Sequence, residues 1–168
     1  MSFLIPVTEL MKRPGLMREL DLEINLEAPI GTEIVAIPAG DSIEVELRLE
    51  SVHEGILATG EIFAGAKTMC SRCLEDMNLK IEVDFQELFA YSYSSDDELL
   101  VTNEHIDLEQ VVIDSVVLSL PFQPVCNKDC LGLCVECGFR LSEEPEHKHE
   151  NVVDPRFEAL KDLLSKEE

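Results

Sequence analysis

Tryptophan is absent, and only two tyrosines and seven phenylalanines occur in 168 residues. An aromatic-rich core is excluded, so packing has to come from Val, Ile and Leu. Aromatic platforms interleaved with Lys and Arg, which grip single-stranded RNA, are excluded as well. Cations are scarce: 13 Lys and Arg stand against 35 Asp and Glu, a formal net charge of −22. Such a surface repels phosphate backbones at long range and suits basic partners, while also serving solubility.

Long apolar runs are missing too. Asp114 interrupts the most apolar stretch, Val111 to Leu120, so no membrane span is expected. Met1 to Val7 is apolar but short, and Glu9 follows, unlike a secretory signal. The expectation is a cytoplasmic chain without a membrane partner. There is no HExxH pattern, no glycine-rich phosphate loop and no serine beside a base. The many carboxylates read as a solvated face, and His53 and His105 as surface residues. Neither catalysis nor a small-molecule substrate is expected.

What the chain does have is six cysteines and a histidine pair in tight packets. They are Cys70-Ser-Arg-Cys73, Cys126-Asn-Lys-Asp-Cys130, Cys134-Val-Glu-Cys137-Gly138 and His147-Lys-His149. In a reducing compartment, close cysteines read as metal ligands rather than disulfides. Zinc takes about four N or S donors in a tetrahedron, and two cysteines two residues apart grip one ion from a single tight turn. Gly138 permits the positive φ that lets amides approach the thiolates. His147 and His149, two apart, project to one side of an extended backbone.

Eight donors allow one or two structural zinc ions. One arrangement pairs Cys134 and Cys137 with His147 and His149, leaving Cys70, Cys73, Cys126 and Cys130 for a second ion. A crossed arrangement joins the two CxxC pairs as a zinc ribbon. A third uses a single ion. The first closes the shortest loop and costs the least chain entropy. Deprotonating six thiols and adding two dications takes the formal charge from −22 to about −24. Either donor set is saturated, unlike a catalytic zinc, which keeps an open position. A thioredoxin-like role for Cys70 and Cys73 would want a helix after the motif, and a strand-like run follows instead.

Alternation supplies the fold. Leu22, Ile24 and Leu26 share one face; Ile43, Val45, Leu47 and Leu49 another; Leu79, Ile81, Val83 and Phe85 a third. His53-Glu54-Gly55 signals a hairpin, and Gly60 within Ile56–Ala64 suggests a bulge. Arg13-Pro14-Gly15 and Pro38-Ala-Gly40-Asp41 are turns. Ala90 to Glu104 reads as a mobile acidic loop. Asp107 with Gln110 forms a capping-box pattern, opening a helix that Pro121 ends. Its apolar face holds Leu108, Val112, Val116 and Leu120, widened by Ile113 and Val117. Asp154-Pro155 opens a last helix carrying Phe157, Leu160 and Leu164.

The expected class is α+β: an antiparallel β-sheet or small open barrel with packed helices and a C-terminal zinc-knuckle segment. Residues 1–106 form the β region with the first CxxC, and residues 107–168 the helix, metal-ligand segment and last helix, in one compact domain. Direct RNA contact has a single hint, Lys67 and Arg72 near the first knuckle.

These motifs resemble a family. Cys70-Ser-Arg-Cys73-Leu-Glu, Leu118-Ser-Leu-Pro121, Pro124-Val-Cys126, Cys130-Leu-Gly-Leu-Cys134-Val-Glu-Cys137-Gly138 and Asp154-Pro155-Arg156-Phe157 are similar to the bacterial YceD family. Arg13-Pro14-Gly15 and Met17-Arg18-Glu19 extend the resemblance to the N-terminal region. It implies a non-enzymatic factor needed for accumulation of large-subunit ribosomal RNA, with a ribosomal protein or pre-ribosomal particle as partner. Relatives with Cys-x-Cys in place of His147-Lys-His149 imply ligand roles for both histidines. Shorter relatives that lack the Cys134 and Cys137 knuckle fit two separate sites. No catalytic residue is implied. A redox-responsive zinc chaperone is the alternative, and a metalloenzyme a third reading that needs an open zinc position.

Overall fold

A computed structural model describes residues 3–92 and 99–149. Its spine comes from the alternating segments. In β5 (Ser42–Ser51), Ile43, Val45, Leu47 and Leu49 are buried, while Glu44, Glu46 and Arg48 face solvent. At the hairpin after it, the Val52 N–H donates to the Gly55 carbonyl at 3.0 Å. The chain returns as β6 (Gly55–Met69), then turns again into β7 (Asp76–Ala90). Each of these two strands has 15 residues, roughly 50 Å of extended chain.

β6 organises the whole sheet. One edge pairs with β7 in unbroken register from Gly55↔Ala90 to Met69↔Asp76. The other edge pairs first with β5 and then with β4 (Val35–Ile37). β2 (Met17–Asn25) lies beside β5, and β3 (Ile30–Gly31) beside β4. The result is an antiparallel sheet of six strands, and among the described residues no pairing joins β7 to β2. The strands therefore form an open antiparallel sheet rather than a closed barrel.

Gly60 is not a bulge, because the register runs through it without a step. It is a close approach: an added Cβ would lie 2.6 Å from the Phe85 ring. The glycine makes room for an aromatic ring from the neighbouring strand.

A second, two-stranded sheet pairs β1 (Leu4–Pro6) with β8 (His105–Asp107). It places Phe3, Val7 and Ile106 in the core. The turn at Thr8–Lys12 follows, with the Leu10 N–H bonded to the Val7 carbonyl at 2.9 Å. Gly15 adopts φ +88, as its turn requires.

α1 (Glu109–Ser119) is the one helix among the described residues, and it packs on β7 and β3. Leu108, Val112, Val116 and Leu120 are buried as the pattern predicts, together with Val111. Ile113 and Val117 pack partly buried against the core. The capping box does not form. Leu108 occupies the cap, Asp107 accepts the Glu109 N–H at 3.0 Å from one position further out, and the Gln110 amide donates forward to Asp114. Pairing of β8 with β1 holds Asp107 in a strand and shifts the helix start.

The described ends of the expected loop at 90–104 are paired rather than free. Ala90 completes β7 and exchanges hydrogen bonds with Leu99 and Val101, whose side chains pack against the core. The last predicted helix lies outside the described residues. Among the described residues sheet outweighs helix, and no described helix is long and apolar enough to cross a membrane.

Candidate metal centres

The tip of the β6–β7 hairpin carries the first cysteine pair. The Cys70 N–H donates to the Glu75 carbonyl at 2.8 Å, and the Leu74 N–H to the Cys70 carbonyl at 2.9 Å. Leu74 takes φ +56, where a glycine would be at less cost. The segment after α1 folds onto this tip at Pro124, which is buried. Its carbonyl accepts both the N–H and the hydroxyl of Ser71, at 2.8 and 2.9 Å.

Pro124 thereby delivers the second pair. Cys70 Sγ lies 3.9 Å from Cys130 Sγ, and Cys73 Sγ lies 3.8 Å from Cys126 Sγ. The four sulfurs fall within 4.8 Å of one another. A tetrahedron with Zn–S bonds of ~2.3 Å has edges of ~3.8 Å, so the spacing suits such an ion. Amide N–H groups of Cys73, Cys126 and Arg72 draw the Cys70 thiol down to about 6. The Cys130 thiol, followed by burial, pushes Cys126 up to about 12. Burial is the main cause raising Cys73. Four crowded thiols cannot all ionise alone, and a dication in their midst would remove that conflict.

The second group is local. Gly138 takes φ +72, its N–H reaches the Cys134 carbonyl at 2.8 Å, and the Cys134 N–H reaches the Phe139 carbonyl at 2.7 Å. Cys137 Sγ lies 3.3 Å from His147 Nε2 and 3.2 Å from His149 Nε2. The two Nε2 atoms are 2.9 Å apart, and all four donors including Cys134 fall within 4.8 Å. The outer nitrogens face carboxylates: His147 Nδ1 is 3.9 Å from Glu144 and His149 Nδ1 is 3.6 Å from Glu136. Such partners turn each ring so that Nε2 points inward. The Phe139 ring stacks on His147 at 4.8 Å between centroids. Amides of Cys137 and Glu136 draw the Cys134 thiol down to about 6.

All eight predicted donors thus gather into two groups of four, each able to hold a metal ion, and the grouping is that of the local arrangement. Sequence reading did not find the supporting residues. Ser71 and Pro124 could have been suspected only from their place beside cysteines. The ion pair of Glu75 with Arg140 carries no local signal at all.

Lys67 and Arg72, the hint of RNA contact, are engaged within the protein. Lys67 Nζ lies 3.6 Å from Asp41, and the Arg72 guanidinium donates to the carbonyls of Lys128 and Cys130. The outer face of the sheet is strongly acidic instead. Register places Asp21, Glu46, Glu61 and Asp84 side by side across four strands. The adjacent row is Glu23, Glu44, Phe63 and Glu82. Partial burial, then Asp84, Glu82 and Glu46, hold the Glu61 carboxyl above its ordinary value. Like charges placed opposite one another destabilise a sheet.

Known proteins supply the remaining context. The family described as large ribosomal RNA subunit accumulation protein YceD matches residues 58–164. The chain is 44% identical over 170 residues to the uncharacterized protein Rv2926c of Mycobacterium tuberculosis, covering 97% of this chain and 82% of that one. It is 40% identical to the uncharacterized protein ML1660 of Mycobacterium leprae, covering 95% and 76%. It is 25% identical to the uncharacterized protein YlbN of Bacillus subtilis, covering 96% of each. No solved structure matches the chain. A match over that span, which takes in both cysteine knuckles and the helix between them, means that the chain belongs to the YceD family.

Proposed function

We propose that this protein is a non-enzymatic, zinc-stapled factor in cytoplasmic ribosome biogenesis. It supports accumulation of large-subunit ribosomal RNA by binding a basic ribosomal protein or a precursor particle. Zinc is the metal that suits four thiolates in one group and two thiolates with two imidazoles in the other. Both sets are complete, which leaves no open position for a substrate and favours a scaffold over a hydrolase. The observation that carries the partner reading is the double acidic row on the outer sheet face, set around the half-exposed Phe63. Lysine and arginine side chains would neutralise the rows and stack on the ring. RNA alone would be repelled.

Depletion in vivo is expected to lower mature large-subunit rRNA; normal rRNA and subunit profiles would sink the idea. Capture from native lysate should recover basic ribosomal proteins that are lost when Glu46 and Glu61 become lysine.

A redox-responsive zinc chaperone is the second reading. It is favoured by the surface position of Cys126 and Cys137, which puts one cysteine of each group within reach of an oxidant. It requires peroxide to release zinc and to switch on suppression of aggregation. Loss of zinc without that gain removes it.

A further inference from the structure

Arg72 stands between the two metal groups, touching the first directly and the second through Leu133, the residue before Cys134. Its main-chain N–H points at Cys70 Sγ, 3.5 Å away. Its guanidinium donates to the carbonyls of Cys130 at 3.0 Å and Lys128 at 3.3 Å. Its own carbonyl accepts the N–H of Leu133 at 3.0 Å, one residue before Cys134. Gly132 lies flat against that carbonyl: it has φ +76, and an added Cβ would sit 3.0 Å from the oxygen. A second tie runs from Arg140, just past Cys137, to Glu75, whose carboxylate is 3.8 Å from Cys73 Sγ. Among the described residues no strand of either sheet pairs with residues 121–149. These ties therefore carry much of the orientation of the second group on the sheet.

We propose that Arg72 is a positioning residue that couples the two metal centres. A metal ion on Cys70, Cys73, Cys126 and Cys130 fixes the hairpin tip that carries Arg72. The fixed Arg72 then holds Gly132 and Leu133 in the geometry from which the Cys134 knuckle springs. Filling the first centre raises the affinity of the second, and by linkage the second raises the first by the same factor. An arginine suits the task because one guanidinium nitrogen, Nη1, carries two N–H donors and reaches both carbonyls. This inference rests on the zinc reading above, since it requires both groups to hold metal.

The test is a cobalt(II) titration of the reduced, metal-free full chain, with a chelator of known affinity as competitor. Cobalt absorbs differently in an all-sulfur site and in a mixed sulfur–nitrogen site, so the two fill visibly apart. With Cys70→Ser and Cys73→Ser combined, the mixed site should remain and bind about tenfold more weakly. Arg72→Ala should bind two ions yet show part of that weakening at the mixed site, because it loses the hold on Lys128 and Cys130 and keeps the main-chain tie to Leu133. Arg72→Lys should restore only part of it, because the shorter side chain reaches the two carbonyls less well and its ammonium lacks the guanidinium's fixed plane. In Cys134→Ser, filling the first centre should slow hydrogen exchange at the Leu133 amide, a readout that survives if Arg72→Ala folds poorly. Mixed-site affinity within about twofold of wild type in both the cysteine double variant and Arg72→Ala would overturn the coupling. An unprotected Leu133 amide would do the same. Absence of either cobalt spectrum from the wild-type chain would instead sink the zinc reading, and the coupling with it.

Discussion

In β5, four alternating side chains sit at 2% exposure or less inside one continuous apolar core. Across residues 121–149, only Pro124 and Gly132 are buried, and the segment holds one isolated bridge, Leu133↔Arg140. The first region is a sheet whose order follows from burial. The second has almost nothing to bury, and on the proposed zinc reading its order comes from donor atoms converging on an ion. A small loop-rich element can be as well fixed as a sheet if cross-links replace the core. The price is dependence on metal and on the redox state of the thiols.

The contrast breaks most visibly when metal is removed. Structural zinc contributes roughly 10–16 kcal/mol to the folding of isolated fingers. Chelation should therefore collapse hydrogen-exchange protection across 121–149 while β5, β6 and β7 keep theirs. Equal loss in both regions would mean that the sheet depends on the metal as well. Stoichiometry sharpens the point: at saturating metal, Cys134→Ser and Cys70→Ser should each retain one ion of two. If either variant retained both, the assignment of donors would fail.

Attack on the core should give the reverse pattern. Leu49 is fully buried, and Leu49→Ala should cost about 2–5 kcal/mol in denaturant unfolding. Metal stoichiometry should stay unchanged, because no metal donor lies on β5. Gly60→Ala should follow at about 1–3 kcal/mol, since its Cβ meets the Phe85 ring at 2.6 Å. Combining Gly60→Ala with Phe85→Leu should recover part of that loss; a purely conformational cost would not be recovered.

The two regions were also legible in different ways. Period-two alternation marked β2, β5 and β7, because each buries one face, and the hairpin signal at His53-Glu54-Gly55 marked the return strand β6. The pairs β1–β8 and β3–β4 escaped, being two or three residues long and specified by tertiary contact. Gly60 was misread because a lone glycine in a strand signals either a bulge or a close approach, and the deciding ring lies 25 positions away at Phe85. Asp107 looked like a cap because pairing of His105–Asp107 with the N-terminal strand is invisible locally. For the candidate metal groups, the packets in the sequence contained the eight side chains that the structure gathers. Their partition depended on where the β6–β7 hairpin ends and on Ser71 seizing the Pro124 carbonyl, neither of which any motif encodes.

The smallest expected effect separates the two faces of the sheet itself. The inner face stabilises the fold, whereas the outer acidic rows oppose it. Glu61 has Glu46 and Asp84 as its cross-strand neighbours. Relief of such like-charge pairs is a small effect, so Glu61→Gln should raise stability slightly. The sign with pH follows from its raised pKa, the folded value lying above the ordinary 4.5. The folded state then binds the proton more readily than the unfolded state. Its penalty is full above the folded pKa and vanishes below 4.5 as pH falls. The gain from Glu61→Gln should therefore be present at neutral pH, shrink on acidification and shrink with added salt. The same variant should bind a Lys/Arg-rich peptide more weakly than wild type. Stabilisation without weaker binding would leave the rows as a solubilising surface, and weaker binding without stabilisation would mean that the carboxylates are neutralised by something other than the partner.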